Sequence, residues 1–211
     1  METAAAQWRW DRYAPLTGIA AVVFWIVGVI LEGEPPDSDS PQEIVNWFQE
    51  DSGRIMAGGF IFVLGCLLFI WFIGSLASAF RAAEGPPARL SSLVFGGGVL
   101  VGFALLINGA TLVQGAFEED DLTGPTAQSL TFMGDMFFGA AEMVGIVLMI
   151  GTALAILRTR AFPVWLAWFS LLLALVLVII PIGWAGVVWG LPLWTLIASV
   201  LLYRRMAAGG L

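Results

Sequence analysis

Between Arg160 and Arg204 the chain runs for 43 residues without a charged side chain. Few environments accept such a segment. A helix needs about 20 apolar residues to cross a bilayer, so this run is long enough for two crossings. In hydrocarbon every backbone N–H and C=O must be bonded within the chain, which leaves only helices or a closed barrel. Barrel strands read as alternating segments of about 10 residues. This run does not alternate, so helices are expected.

The rest of the chain repeats the signal. Residues 14–31, 55–80 and 90–117 are uncharged, and residues 130–157 are apolar except for Asp135 and Glu142. A composition that is 59% hydrophobic and 12% charged departs from soluble domains in the same direction. Pro181, Gly183 and Gly186 mark where the longest run reverses. The expected fold is all-α, a polytopic transmembrane bundle of six helices in a single domain spanning 1–211, with helices at about 14–33, 54–80, 90–115, 130–157, 163–181 and 187–203. The first run follows Trp8, Arg9, Trp10, Arg12 and Tyr13 and leads into Glu32, Gly33, Glu34, Pro35 and Pro36 without a small-residue cleavage site. It is expected to stay as an anchor.

Charge sets the expected orientation. Arg9, Arg12, Arg81, Arg89, Arg158, Arg160, Arg204 and Arg205 fall at the N-terminus, the second and fourth turns and the C-terminus, which share one side in a six-helix count. The positive-inside rule makes that side cytoplasmic. Glu32, Glu34, Asp37, Asp39, Glu43, Glu50, Asp51, Glu118, Glu119, Asp120 and Asp121 fall on the other. A multi-pass protein of the cell (plasma or inner) membrane with both termini cytoplasmic is expected. In the first outer loop, Ser40, Pro41 and Glu43 form a helix-start pattern followed by Ile44, Val45, Trp47 and Phe48. That pattern predicts a short amphipathic helix resting on the outer leaflet or lidding the bundle.

Absences narrow the chemistry. The chain has no histidine, no lysine and one cysteine, Cys66, inside an apolar run. Histidine-held haem or zinc, Ser-His and Cys-His nucleophiles, Schiff-base lysines and phosphate-loop lysines all lack an essential residue. Gly134-Asp135 matches half of an intramembrane aspartyl protease signature, but a second catalytic aspartate on another helix is missing. No enzyme, cofactor, metal site or nucleic-acid partner is expected; the expected partners are the lipid bilayer, a small solute or proton, and a homo-oligomer or membrane partner.

Ionisable groups within hydrocarbon are costly and commonly face a bundle interior or a wet cavity. Asp135 and Glu142 are seven residues apart, two helical turns, so they share a face about 10 Å apart along the axis. Asn108, Thr111 and Gln114 line a face of the preceding helix at three-residue spacing, and Arg54 starts the second helix within expected reach of Asp135. Together these outline an outward-opening acidic pocket that would bind a solute or proton. The same residue types also serve as structural glue between membrane helices. A small transporter or solute-binding protein and a noncatalytic membrane scaffold or subunit therefore both stand as expectations. Gly98 and Gly102 are expected to allow close helix packing within the bundle, and Trp165, Trp168, Trp184, Trp189 and Trp194 to form an aromatic belt. With its six expected helices, arginine-only basic set and capped loop helix, the chain resembles small uncharacterised six-helix integral membrane proteins of GC-rich bacteria, a resemblance of layout that implies no activity.

Overall fold

A computed structural model describes residues 13–36 and 40–208. Arg9, Arg12, Asp37 and Asp39 of the charge pattern lie outside these described residues. Every regular element among the described residues is helical: α1 (Leu16–Glu32), α2 (Pro41–Glu84), α3 (Arg89–Phe117), α4 (Gly124–Thr159), α5 (Val164–Val178), a short α6 (Ile180–Ala185), a π-helical turn (Gly186–Gly190) and α7 (Leu191–Ala207). Four helical stretches are long and apolar enough to cross a membrane: α2, α3, α4 and the continuous stretch Pro181–Ala207. This is consistent with an integral membrane protein. Helices α1 and α5, with 17 and 15 residues, are apolar but shorter.

Consecutive helices pack on one another, and α7 returns to close against α1. Ser199 donates to the Pro15 carbonyl, and Tyr13 stacks on Tyr203 at 6.4 Å. The main core runs through all the long helices, from Ala21 and Trp25 through Phe69, Phe72, Leu148 and Leu166 to Trp194 and Leu202. Small residues let the helices close up. Gly98 rests against Ile73, Gly102 against Ile70, and Gly97 against the backbone of Leu148, so the Gly98 and Gly102 pair serves packing inside the chain as expected.

Two features differ from the sequence reading. The helix starting at Pro41 does not end before the second crossing; α2 is one helix of 44 residues, about 66 Å long. Nothing between Asn46 and Arg54 stops it, because Asp51, Ser52 and Gly53 form no turn and Arg54 reaches back one turn to Asp51 at 2.7 Å. Its first turns therefore form no separate helix. Ile44, Val45 and Phe48 pack with Leu112, Ala116, Leu122 and Ala127 in a second, separate core formed by the ends of α2, α3 and α4. We call this three-helix extension the crown. The second difference is Trp194, which is fully buried and donates to Ser170 Oγ at 2.9 Å, while Trp165, Trp168, Trp184 and Trp189 are exposed as a belt requires.

The arginine-bearing turns meet at the end opposite the crown. Glu84 closes α2 by turning its carboxylate onto the start of α3, accepting the Leu90 N–H at 3.1 Å and the Ser91 N–H at 3.0 Å, with Arg158 of α4 at 3.8 Å. Arg205 of α7 donates to the Ala161 carbonyl and lies over the Phe162 ring at 5.9 Å. Phe162 in turn meets Phe80 edge-on at 5.3 Å.

Candidate functional site

The expected polar residues divide into two groups. Those on α3 are bound up in the fold: Asn108 donates through Nδ2 to the Gly134 carbonyl at 3.0 Å, and Thr111 donates to the Asn108 carbonyl at 2.7 Å. Gly134 is the α4 residue that faces α3, because a Cβ there would come within 2.9 Å of Thr111 Oγ1 and 3.3 Å of Asn108 Nδ2. A helical residue is turned about 100° from its neighbour. Asp135 therefore faces away from Asn108 and Thr111. Gln114 is exposed and donates to Glu118 one turn on, at 3.2 Å, and Arg54 pairs with Asp51. The structure thus brings Asn108, Thr111 and Gly134 together, and leaves Gln114, Arg54 and Asp135 at separate places around the crown.

Asp135 is exposed at the edge of an open groove of about 660 Å³ between the start of α2 and the first turns of α4. Ile44, Pro125, Gln128, Thr131 and Phe132 supply the other walls, and Phe132 is 67% exposed. Among the described residues no hydrogen bond or ion pair engages the Asp135 carboxylate. The groove therefore offers a free negative charge beside an open aromatic face, a pairing suited to cationic groups.

Glu142, two turns along, meets a different neighbour. It is half-buried against the reversal between α5 and α6, where a Cβ on Gly183 would lie 2.8 Å from Glu142 Oε2. The reversal closes over the carboxyl because residue 183 has no side chain. Beyond Glu142 towards the arginine end, α4 contributes Leu148, Met149, Ala153 and Ile156 to the continuous apolar core.

Glu32 escaped the sequence reading as a candidate, since it was counted only among the acids on the outer side. It is the last residue of α1, 8% exposed, and its Oε2 is buried without a hydrogen-bond partner among the described residues. Gly58 and Gly59 of α2 leave room for the end of α1, with Gly59 about a side chain's width from Glu32 Oε2 and Gly33 closing the helix at φ 70°. The available signal was the pair Gly58-Gly59 at the level where α1 must end, which lets two backbones approach closely.

No protein-family model, curated protein or solved structure matches the chain.

Proposed function

We propose that this chain is a noncatalytic six-span membrane scaffold or subunit whose acidic crown stands outside the lipid and presents the Asp135 groove to a partner bearing cationic side chains. The observation that carries the reading is the division of polar groups: Asn108 and Thr111 are spent on the fold, while Asp135 alone of the expected set is both charged and uncommitted beside an open groove. Depth along α4 supports it. From Arg158, Glu142 is 16 residues along the helix, about 24 Å, and Asp135 is 23 residues, about 35 Å. Against a hydrocarbon core of about 30 Å, Asp135 falls outside the lipid and Glu142 inside its outer edge. A conducting path needs polar lining on both sides of the midplane. The packed apolar core between Glu142 and the arginine end favours a scaffold over a transporter.

The orientation in this proposal puts the arginine end in the cytoplasm of a plasma or inner membrane. Cross-linking in native membranes tests the partner. A photoreactive residue at position 132 captures a stoichiometric membrane protein, and Asp135→Arg lowers the yield by about tenfold, as reversal of one close charge pair warrants. Proton- or solute-coupled uptake into liposomes that is abolished by Glu142→Gln, with no captured partner, overturns the proposal in favour of a transporter.

A further inference from the structure

Helix α1 ends against α2 at backbone range. A Cβ on Gly28 would lie 2.9 Å from the Gly58 carbonyl oxygen, and one on Gly58 would lie 2.9 Å from the Glu32 Cα, so glycine is what lets the two helices meet there. This close approach sets the Glu32 carboxyl among three helices. Its Oε2 is 3.7 Å from where a Cβ on Gly59 would stand, and that same point is 2.8 Å from Val113 and 3.4 Å from the Gly109 carbonyl oxygen of α3. None of these residues carries a side-chain donor, and Oε2 is left buried without a partner among the described residues. Gly59 precedes Arg81 by 22 residues, about 33 Å of α2, which puts the carboxyl at the outer edge of a hydrocarbon core of about 30 Å, where a proton can arrive from the crown side.

A cation stands within reach. Arg54 Nη2 lies 3.3 Å from where a Cβ on Gly33, the residue after Glu32, would stand, so its guanidinium rests over the end of α1, where helix carbonyls favour positive charge. The last turn of α1 has no basic residue of its own. Arg54 is held by Asp51 at 2.7 Å, a pair whose side chains are 49% and 39% exposed. The other titratable groups nearby are turned away or committed: Glu34 is exposed beyond the end of α1, Cys66 two turns deeper on α2 accepts the Trp25 indole N–H, and Glu118 at the end of α3 takes the Gln114 amide. An exposed ion pair contributes little, whereas an ionised carboxylate left unpaired among packed helices is strongly disfavoured. Arg54 therefore gains by leaving Asp51 once Glu32 is ionised, and gains nothing while Glu32 is neutral.

We infer that Glu32 is a proton-binding site whose proton is exchanged for Arg54. With the proton bound, Arg54 stays on Asp51 and that turn of α2 is braced only to itself. When the proton leaves to the outer water, the guanidinium swings across Gly33 onto the carboxylate, Asp51 is left to solvent, and an ion pair ties α1 to the foot of the crown. Gly33, at φ 70° and without a side chain, leaves that path open. Among the described residues no group of three acidic, cysteine or histidine side chains is placed to hold a metal ion, so the proton is the cation that fits. The inference concerns the end of α1 and is independent of what the Asp135 groove binds.

Infrared spectra of the full chain in nanodiscs, recorded against pH, read the site through the C=O stretch of a protonated carboxyl. Glu32→Gln removes one titrating band. Arg54→Gln moves the midpoint of that band up by about one pH unit, a tenfold gain in proton affinity, and Asp51→Asn, which frees Arg54, moves it down by about as much. The two effects are not additive: with Arg54 already replaced by Gln, Asp51→Asn leaves the midpoint where it is, because Asp51 acts by holding Arg54. Both substitutions fall at exposed side chains, so the variants keep the fold. Absence of a Glu32-dependent band, a midpoint that ignores Arg54→Gln, or an Asp51→Asn shift that persists without Arg54 overturns the inference, the last because Asp51 would then act through its field alone.

Discussion

Glu32 carries a carboxyl oxygen that meets neither water nor a donor among the described residues, at the point where the end of α1 presses against Gly58 and Gly59. Burying a polar atom without a partner costs about 1–3 kcal/mol on protein mutational scales. Replacing Glu32 by Gln removes the charge at nearly constant shape, so the melting temperature in detergent is expected to hold or rise, by at most about 1 kcal/mol of stability. A clear fall would mean that the carboxylate has a partner the fold depends on. Glu84 is the opposite case and lies past Arg81, outside the uncharged run 55–80. Burial raises its carboxyl, but the Ser91 and Leu90 N–H groups and Arg158 together outweigh that and hold it below the usual glutamate range. A depressed native value means that this stabilisation is present above the unfolded value and is lost as pH falls through the folded one. Glu84→Gln should cost about 1.5–3 kcal/mol in chemical denaturation at neutral pH, with the gap to the unaltered protein narrowing in acid.

Helices α3 and α4 meet through a glycine-lined seam, and neighbouring glycines give a matched pair of predictions. A Cβ on Gly97 would lie 2.9 Å from the Leu148 backbone N, whereas one on Gly96 meets nothing within 4 Å. Gly97→Ala is therefore expected to destabilise by about 1–3 kcal/mol, because a backbone cannot swing aside as a side chain can. Gly96→Ala should be neutral or stabilising by about 0.4–1 kcal/mol. Thermal unfolding of the two variants side by side checks both. The contrast also shows how far this level was legible in the sequence. Uncharged runs located α1, α3 and α5 to within a few residues, since hydrophobic length is a property of the chain alone. The bounds of α2 and α4 were missed at their outer ends: the stretch from Pro41 reads as a separate short helix and Gly124 to Ser129 as loop, because both are polar, and the packing of Phe48 with Leu112 and Ala127 joins these ends into the long helices. The Asp135 and Glu142 pairing was read from spacing on one helix, but which way that helix faces depends on Gly134 fitting against Asn108, a contact that no single-helix pattern encodes.

At the scale of the molecule, charge is sorted by end. Glu43, Glu50, Asp51 and Glu118 to Asp121 ring the crown, and Arg81, Arg89, Arg158, Arg160, Arg204 and Arg205 ring the far end. The single cysteine makes the proposed orientation easy to test: Cys66 is buried, with the Trp25 indole N–H donating to its sulfur at 3.3 Å, so a Cys66→Ala background carries no competing thiol. In intact cells a membrane-impermeant maleimide should label Asp120→Cys and spare Pro87→Cys until the membrane is opened; the reverse order would invert the topology. The unequal helix lengths have a further consequence. Helix α5 has 15 residues, about 22 Å, beside an α4 of 36 residues, about 54 Å. As one of the six proposed crossings, α5 is shorter than an average hydrocarbon core by about 8 Å, a mismatch that lipid is expected to meet by compressing locally. In the proposed orientation, headgroups and water are expected to dip inward along that flank to the reversal at Gly183, which would leave the Glu142 carboxyl at the bottom of a dimple in the outer leaflet instead of in undisturbed oil.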